Sequence, residues 1–348
     1  MSVGVLTASV TRGKPGGDTM HFRRLVRLGE HMGIPIFVYS LKPNGTLETY
    51  AWNASGGGFT EIQMKQLPRV LYNRIPTRRL EQTDWVTSFK TRFSREGRIL
   101  TNPNFLYKDE LARIWSRAPE LSANVPVSLV SPTVEEALLA FREYPVWYLK
   151  PAHGKAGMGI KRLQCGAHSI GITHQEKGRT RISELRDELM VRAFWRSLPA
   201  RFVLQREANT LTIDGCRVDV RMLMHRDLQD GFTRSGAGVR IGPRDGITTH
   251  VPNGGRLAAL DKTLHELYGR RSEEVNARIE KVVQSAARAL ELGCGGIWCE
   301  LSFDLGLAPE GTPILFEANA KPMKFDETKI ETEGKMRLLR TLQHIAES

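Results

Sequence analysis

Two β-forming runs near the end of the chain, Ile297–Asp304 and Ile314–Asn319, flank a turn at Pro309-Glu310-Gly311 and constrain the fold more than any other segment. Such runs around a glycine turn predict an antiparallel hairpin. Side chains alternate faces along a strand, so Glu317 and Asn319 share one. Centring the turn between Glu310 and Gly311 sets Asp304 opposite Glu317. Like charges facing each other across a ladder repel, so this pairing needs a neutralising partner. A divalent cation supplies one. Two carboxylates and an amide oxygen form a hard, all-oxygen donor set suited to Mg2+, which also accepts phosphate oxygens. The plainer alternative is a carboxylate facing solvent and paired with a lysine such as Lys321, which a one-residue slip in register would produce.

A second segment points toward phosphate. Val146–Leu149 reads as a strand, Lys150-Pro151 follows, and glycines 154, 157 and 159 precede a further β run, Ile160–Leu163. Glycines let the backbone approach closely enough to offer N–H groups to phosphate oxygens. A Walker A loop requires Ser or Thr after Gly-Lys, whereas Ala156 follows Lys155. A dinucleotide-binding loop must open a helix, and here a strand follows. The remaining choices are a glycine flap folding over phosphates and a plain hairpin turn. Protein kinases use such a flap, but the DFG motif is missing from this sequence.

Between these segments, Arg221 and Arg240 each sit in an apolar β run, where a guanidinium needs an anion. Asp219 or a phosphate would serve. Asn253-Gly254-Gly255-Arg256 is a tight, amide-rich loop, and Lys108 stands at the start of an expected helix. His153 is weighed as a general base and set behind a structural role. His225 and His250 lack metal-ligand spacing, and the four cysteines, Cys165, Cys216, Cys294 and Cys299, read as buried thiols without CxxC spacing.

The first hundred residues follow a β-α-β pattern: a strand over Val3–Ser9, a glycine-rich loop to Asp18, a helix carrying Phe22, Leu25 and Val26, and a strand over Ile34–Tyr39. Trp52–Phe59 reads as a loop, and Val70–Ile75 as a strand. Helices are expected from Lys108 to before Pro119 and, behind the capping box at Thr133 and Glu136, toward Tyr144. Ser183 reads as the cap of a helix carrying Leu185, Leu189 and Phe194, followed by a strand at Phe202–Gln205. Short strands are expected from Leu211 onward, and a long helix over Glu273–Leu292 with Val275, Ile279, Val282, Ala286 and Leu290 on one face. Lys and Arg number 50 against 38 Asp and Glu, a net charge of +12, which favours anionic partners without choosing among them. The basic residues are dispersed, so a nucleic-acid role ranks behind nucleotide binding. No apolar run approaches the ~20 residues of a membrane span. Met1–Thr19 lacks signal-peptide features, and the chain reads as cytoplasmic.

In order along the chain, Lys108, Leu149-Lys150-Pro151 with its glycine flap, Asp219-Val220-Arg221, Asn253-Gly254-Gly255, Asp304 and Glu317-Ala318-Asn319 resemble the ATP-grasp fold. Tyr72-Asn73-Arg74-Ile75-Pro76, Asn104-Phe105-Leu106-Tyr107-Lys108 and Glu317-Ala318-Asn319-Ala320-Lys321-Pro322 narrow the resemblance to the YheC/YheD group of spore-coat-associated ATP-grasp proteins. The similarity runs from the first strand to about Pro322. It implies an α/β and α+β protein: an N-terminal α/β unit (1–101), a small lobe with the flap (102–208) and a large lobe with the metal hairpin (209–348). ATP would lie between the two α+β lobes. Lys108, Lys150, Lys155, Gly157 and Gly159 would meet the nucleotide and its phosphates, and the adenine hinge would fall on Gln205, Arg206, Glu207 and Ala208. Arg221, Arg240 and Asn253 would face the transferred phosphate, and Asp304, Glu317 and Asn319 would hold Mg2+. The sequence departs from the pattern at Arg206, which replaces an acidic residue, and in the flap, where Lys155 and Met158 stand for an expected Ser and Lys. The implied activity is ATP-dependent joining of a small-molecule or peptide carboxylate to an amine. A non-catalytic, ATP-binding spore protein and a kinase of the same fold are the alternatives.

Overall fold

The chain folds around three six-stranded sheets, laid down one after another along the sequence. The structure is a computed structural model describing residues 2–348 except 12, 155–156, 177–178, 228, 230, 245, 250–253 and 326, together with the side chain of 176.

The first sheet contains β1 (Val3–Ala8), β2 (Ile36–Leu41), β3 (Leu47–Asn53), β4 (Gly58–Ile62), β5 (Val70–Asn73) and β6 (Ile99–Thr101), with α1 (Thr19–Met32), α2 (Arg78–Glu81) and α3 (Asp84–Arg95) between them. Asp18 caps α1 by accepting from the His21 backbone N–H at 2.9 Å, and Gly33 ends it in the left-handed region. Strand β1 is parallel to both β2 and β5 and buried along its length, as a strand covered on both faces must be. Val3 and Val5 pack toward α1, whereas Leu6 and Ala8 pack toward Val86, Phe89 and Phe93 of α3. The stretch expected as a loop at 52–59 is instead the tip of the β3–β4 hairpin, with Trp52 paired to Phe59 across the strands. The glycines that suggested a loop make only its turn.

The second sheet follows α4 (Lys108–Ser116). Its strands are β7 (Ser128–Val130), β8 (Val146–Pro151), β9 (Lys161–Cys165), β10 (Ile170–Glu176), β11 (Arg179–Leu185) and β12 (Phe202–Arg206). One face is covered by α5 (Val134–Glu143), which begins with the expected capping box at Thr133, and by α6 (Glu188–Arg196). Ser183 does not cap that helix: it lies within β11, and Asp187 caps α6 by accepting from Met190 N–H. Residues 179–185 pair along β10, and that ladder outweighs the local capping pattern.

The third sheet comprises β13 (Thr212–Ile213), β14 (Cys216–Asp227), β15 (Gly231–Arg244), β16 (Arg256–Ala259), β17 (Glu300–Leu307) and β18 (Pro313–Asn319). In place of short strands, β14 and β15 run 12 and 14 residues, bent by two register shifts where they pair. Helices α4, α7 (Leu260–Tyr268) and α8 (Ser272–Cys294) cover one face, with Trp115, Val275, Ile279 and Val283 in the largest core. A last helix, α9 (Thr328–Glu347), returns to the first sheet, where Leu338, Leu339 and Leu342 join Val3, Val5 and Val38. Among the described residues, no helix is long and apolar enough to cross a membrane.

Candidate active site

The uncovered faces of the second and third sheets meet across a cavity of about 390 Å³, to which the first unit adds Pro76 and Arg78. Alternation along each strand explains the lining. On β8, Trp147 and Leu149 enter the core while Tyr148 and Lys150 face the cavity. On β17, Leu301, Phe303 and Leu305 are core and Asp304 faces the cavity.

Strand β18 reaches the same result by a different route. Asp304 does pair with Glu317, as expected, but the turn is tighter than expected: Leu305 pairs with Leu315, and a bulge at Phe316 restores the register. Leu315 and Ala318 are core, whereas Phe316, Glu317 and Asn319 all line the cavity. Strict period two from Leu315 would have buried Glu317 in the apolar layer.

The two facing carboxylates are neutralised by cations of the protein itself. Arg240 Nη2 lies 2.8 Å from Asp304 Oδ1, and Lys108 Nζ lies 2.9 Å from Glu317 Oε1 while also donating to the Gly154 carbonyl at 3.0 Å. Lys108 therefore ties the flap to the hairpin. The fork of Arg240 is not open, because Asp219 also takes Nε and Nη2, at 2.8 and 3.0 Å. Burial disfavours the Arg240 cation, but Asp304 and Asp219 more than offset it and raise its pKa. Burial raises the Asp219 pKa despite Arg240, with Asp304 adding to the rise. Lys321, which the plainer alternative would pair with a hairpin carboxylate, donates to Glu81 at 2.6 Å.

Lys150 is half-buried and donates to Gln205 Oε1, and desolvation together with the nearby Lys108 brings its pKa down to about 8. Its ammonium stands 5.5 Å over the Phe316 ring. Gln205, Arg206, Glu207 and Ala208 line the cavity where β12 ends. Glu207 is engaged by Arg217 at 2.8 Å and Arg162 at 3.3 Å and accepts from the Tyr148 hydroxyl at 3.2 Å. Burial pushes the Glu207 carboxyl up, and the two guanidiniums outweigh it and hold it below the usual range.

Flap residues Gly157 and Gly159 have φ of +72° and +75°, a region that favours glycine. Gly157 lines the cavity; Gly159 sits in the flap without being among its lining residues. Lys155 and Asn253 lie outside the described residues. His153 is exposed against Tyr107, with ring centroids 4.8 Å apart, and is not a lining residue. Only Cys299 is fully buried; Cys165, Cys216 and Cys294 are half-buried because their strands and helix end near solvent. Arg221 lines the cavity, donating to the Met323 carbonyl at 3.1 Å. Tyr148, Phe316, Arg78 and Lys321 escaped the sequence reading as wall residues. Only the alternation around Lys150 could have flagged Tyr148; the others depend on a bulge or on a distant unit.

The described donors fit Mg2+: two carboxylates from paired strands and an amide oxygen from the next position on the same face, all hard oxygens. Two antiparallel sheets facing this cavity, with a lysine-bearing strand leading into the glycine flap, fit the ATP-grasp fold. D-cycloserine synthetase DcsG is similar to this chain with a TM-score of 0.60, 15% identity, and coverage of 99% of this chain and 100% of that one. ATP-grasp ligase PsnB, in a structure with minimal precursor, Mg and ADP, gives a TM-score of 0.53 at 16% identity, covering 99% and 97%. Residues 97–346 match the family model described as YheC/D like ATP-grasp, and the chain belongs to that family. Endospore coat-associated protein YheD of Bacillus subtilis (strain 168) is 28% identical over 333 residues, 92% of this chain and 72% of that protein.

Proposed function

We propose that the protein is an ATP-dependent carboxylate–amine ligase working through an acyl-phosphate. The observation that carries this reading is the facing pair Asp304 and Glu317, set in one cavity with Lys108 and Lys150. The three units at 1–101, 102–208 and 209–348 belong to the proposal and follow the three sheets, with α4 crossing to pack beneath the third. A carboxylate is a poor acylating agent at neutral pH, and phosphorylation supplies a leaving group. In the first step a substrate carboxylate oxygen attacks the γ-phosphorus in line, the bond to the β–γ bridging oxygen breaks, and ADP leaves. In the second, an amine lone pair attacks the acyl carbon, the carbon–oxygen bond to phosphate breaks, and the nitrogen loses its proton.

Lys108 and Lys150 hold the phosphates by charge, and Gln205 to Ala208 border the base. Arg221 faces the transferred phosphoryl group, and Arg240, gripped by Asp219, fixes Asp304. Asp304, Glu317 and Asn319 would hold Mg2+, which when bound screens the charge between phosphates and carboxylates. PsnB, whose structure contains Mg and ADP, supports this assignment.

The test is ADP release from ATP and Mg2+ with mixed amino acids and peptides. We expect release with amide formation seen by mass spectrometry, and loss to background in Asp304→Asn and Glu317→Gln. No release with any mixture would count against ligation, and full activity in both variants would remove the metal assignment. A phosphorylated product without amide would instead indicate a kinase. The name of the YheD relative favours a second reading, a spore-associated protein that binds ATP without turnover. Calorimetry showing nucleotide binding in a protein that releases no ADP would select it.

A further inference from the structure

Half of the cations of the cavity wall are matched to carboxylates. Arg240 has Asp219 and Asp304, Arg217 has Glu207, Lys108 has Glu317, and Lys321 has Glu81. Among the described residues, Arg78 and Arg221 have no carboxylate within ion-pair distance, and in each the Nε is buried without a hydrogen-bond partner. Their remaining contacts are weak anchors for a guanidinium. Arg78 Nη2 donates to the Leu106 carbonyl at 3.2 Å and the plane lies over Phe105, 5.0 Å from its centroid. A guanidinium offers a planar fork that matches a carboxylate with two parallel hydrogen bonds, and a buried donor without an acceptor is costly. Both arginines line the same cavity, where an anion that enters would meet two guanidiniums without a carboxylate partner.

The two arginines divide the space. Arg221 is on the third sheet, beside Asp304 across the β14–β17 ladder, and so serves the reacting end. Arg78 comes from the first unit, and its helix turn is held rigidly. Glu81 of the same turn accepts from Lys321 at 2.6 Å, from Asn73 at 2.7 Å and from the Phe105 N–H at 2.7 Å. A recognition group mounted this firmly loses little freedom when it binds.

We infer that Arg78 receives a second, non-reacting carboxylate of the substrate, so that the acid activated here is an acidic amino acid or a peptide with an additional carboxylate. The inference deepens the ligase reading and rests on it. It is tested by calorimetry in the presence of Mg2+ and a non-hydrolysable ATP analogue, with L-glutamate, L-glutamine and L-glutamic acid α-amide as probes, and in parallel by ADP release with ATP. Wild-type protein is expected to bind glutamate at least about tenfold tighter than both monoamides, the gain of one charge-assisted bidentate contact. If Arg78 instead reads only one kind of carboxylate, the two monoamides separate and show whether it takes the side-chain or the α-carboxylate. Arg78→Gln is expected to abolish the preference, and Arg78→Lys, which keeps the charge but not the fork, to retain part of it; nucleotide affinity in each variant reports whether the fold is intact. Equal binding of all three probes by wild type, or an unchanged preference in a nucleotide-binding Arg78→Gln protein, would overturn the inference and leave ligation standing. A carboxylate preference without ADP release from any substrate would remove the ligase reading while the subsite survives.

Discussion

Lys150 illustrates how one partly desolvated ammonium becomes a measurable quantity. Its pKa, brought down to about 8 by burial and by Lys108, lies well below that of a free lysine. A triphosphate favours the charged amine, so binding is linked to the proton that Lys150 carries. Below about pH 8 the free protein already holds that proton, and affinity should be flat. Above it, the proton must be taken up on binding, and affinity should fall by up to about tenfold per pH unit. Titration calorimetry of a nonhydrolysable nucleotide between pH 6.5 and 9.5 checks this. In Lys150→Met the affinity should be lower throughout and the decline above pH 8 should vanish. The residue types of the site were legible in the sequence because two carboxylates and an amide in a hairpin need a counter-charge. The identity of that counter-charge in the free protein was not. Arg240 reaches Asp304 across the intervening strand β14, and Lys108 reaches Glu317 from a helix more than two hundred positions earlier. Neither relation leaves a local trace.

Helix α4 shows why an element far from the flap matters to it. The helix starts at Lys108, and its Trp115 packs on Phe303, the neighbour of Asp304, while the indole N–H donates to the Ala286 carbonyl of α8 at 3.3 Å. Trp115→Ala would open a large cavity there, and urea unfolding should show a loss of about 3–5 kcal/mol. Nucleotide affinity should weaken in the same variant at temperatures where it is folded, because the support of Lys108 is gone. Helices with strong local grammar were readable: α5 has its Thr133–Glu136 box, and α8 has its apolar spacing. The β11 segment was misread because its exposed face carries residues without an alternating apolar signal, and only pairing with β10 makes it a strand. The expected pairing of Asp304 with Glu317 survived an incorrect turn position because the Phe316 bulge returns the one residue the turn omits.

The first and third sheets are joined through a buried polar centre at Glu300. Its carboxylate accepts from the Tyr72 hydroxyl at 2.6 Å and lies 3.6 Å from Arg74 and 3.4 Å from His225. Burial pushes the Glu300 carboxyl up, but His225, Arg74 and His21 outweigh this and hold it far below the usual carboxylate range. A depressed folded-state pKa means a contribution present above the unfolded value, about 4.3, and lost as pH falls toward the folded one. Melting temperatures should therefore drop more steeply between pH 5 and 3 for the wild type than for Glu300→Gln. At neutral pH that variant should be less stable by roughly 3–5 kcal/mol, since it leaves Arg74 buried without its anion. Helix α9 extends the same dependence to the apolar layer, with Leu338, Leu339, Leu342 and Ile345 lying against the very first strand. During synthesis on the ribosome, the opening β-α-β segment thus emerges with the apolar surface beside α1 only partly covered, and it stays so until about three hundred further residues have been made. A nascent chain of this design needs either a chaperone's cover or patience, and a stalled translation product ending before α9 should be found in aggregates.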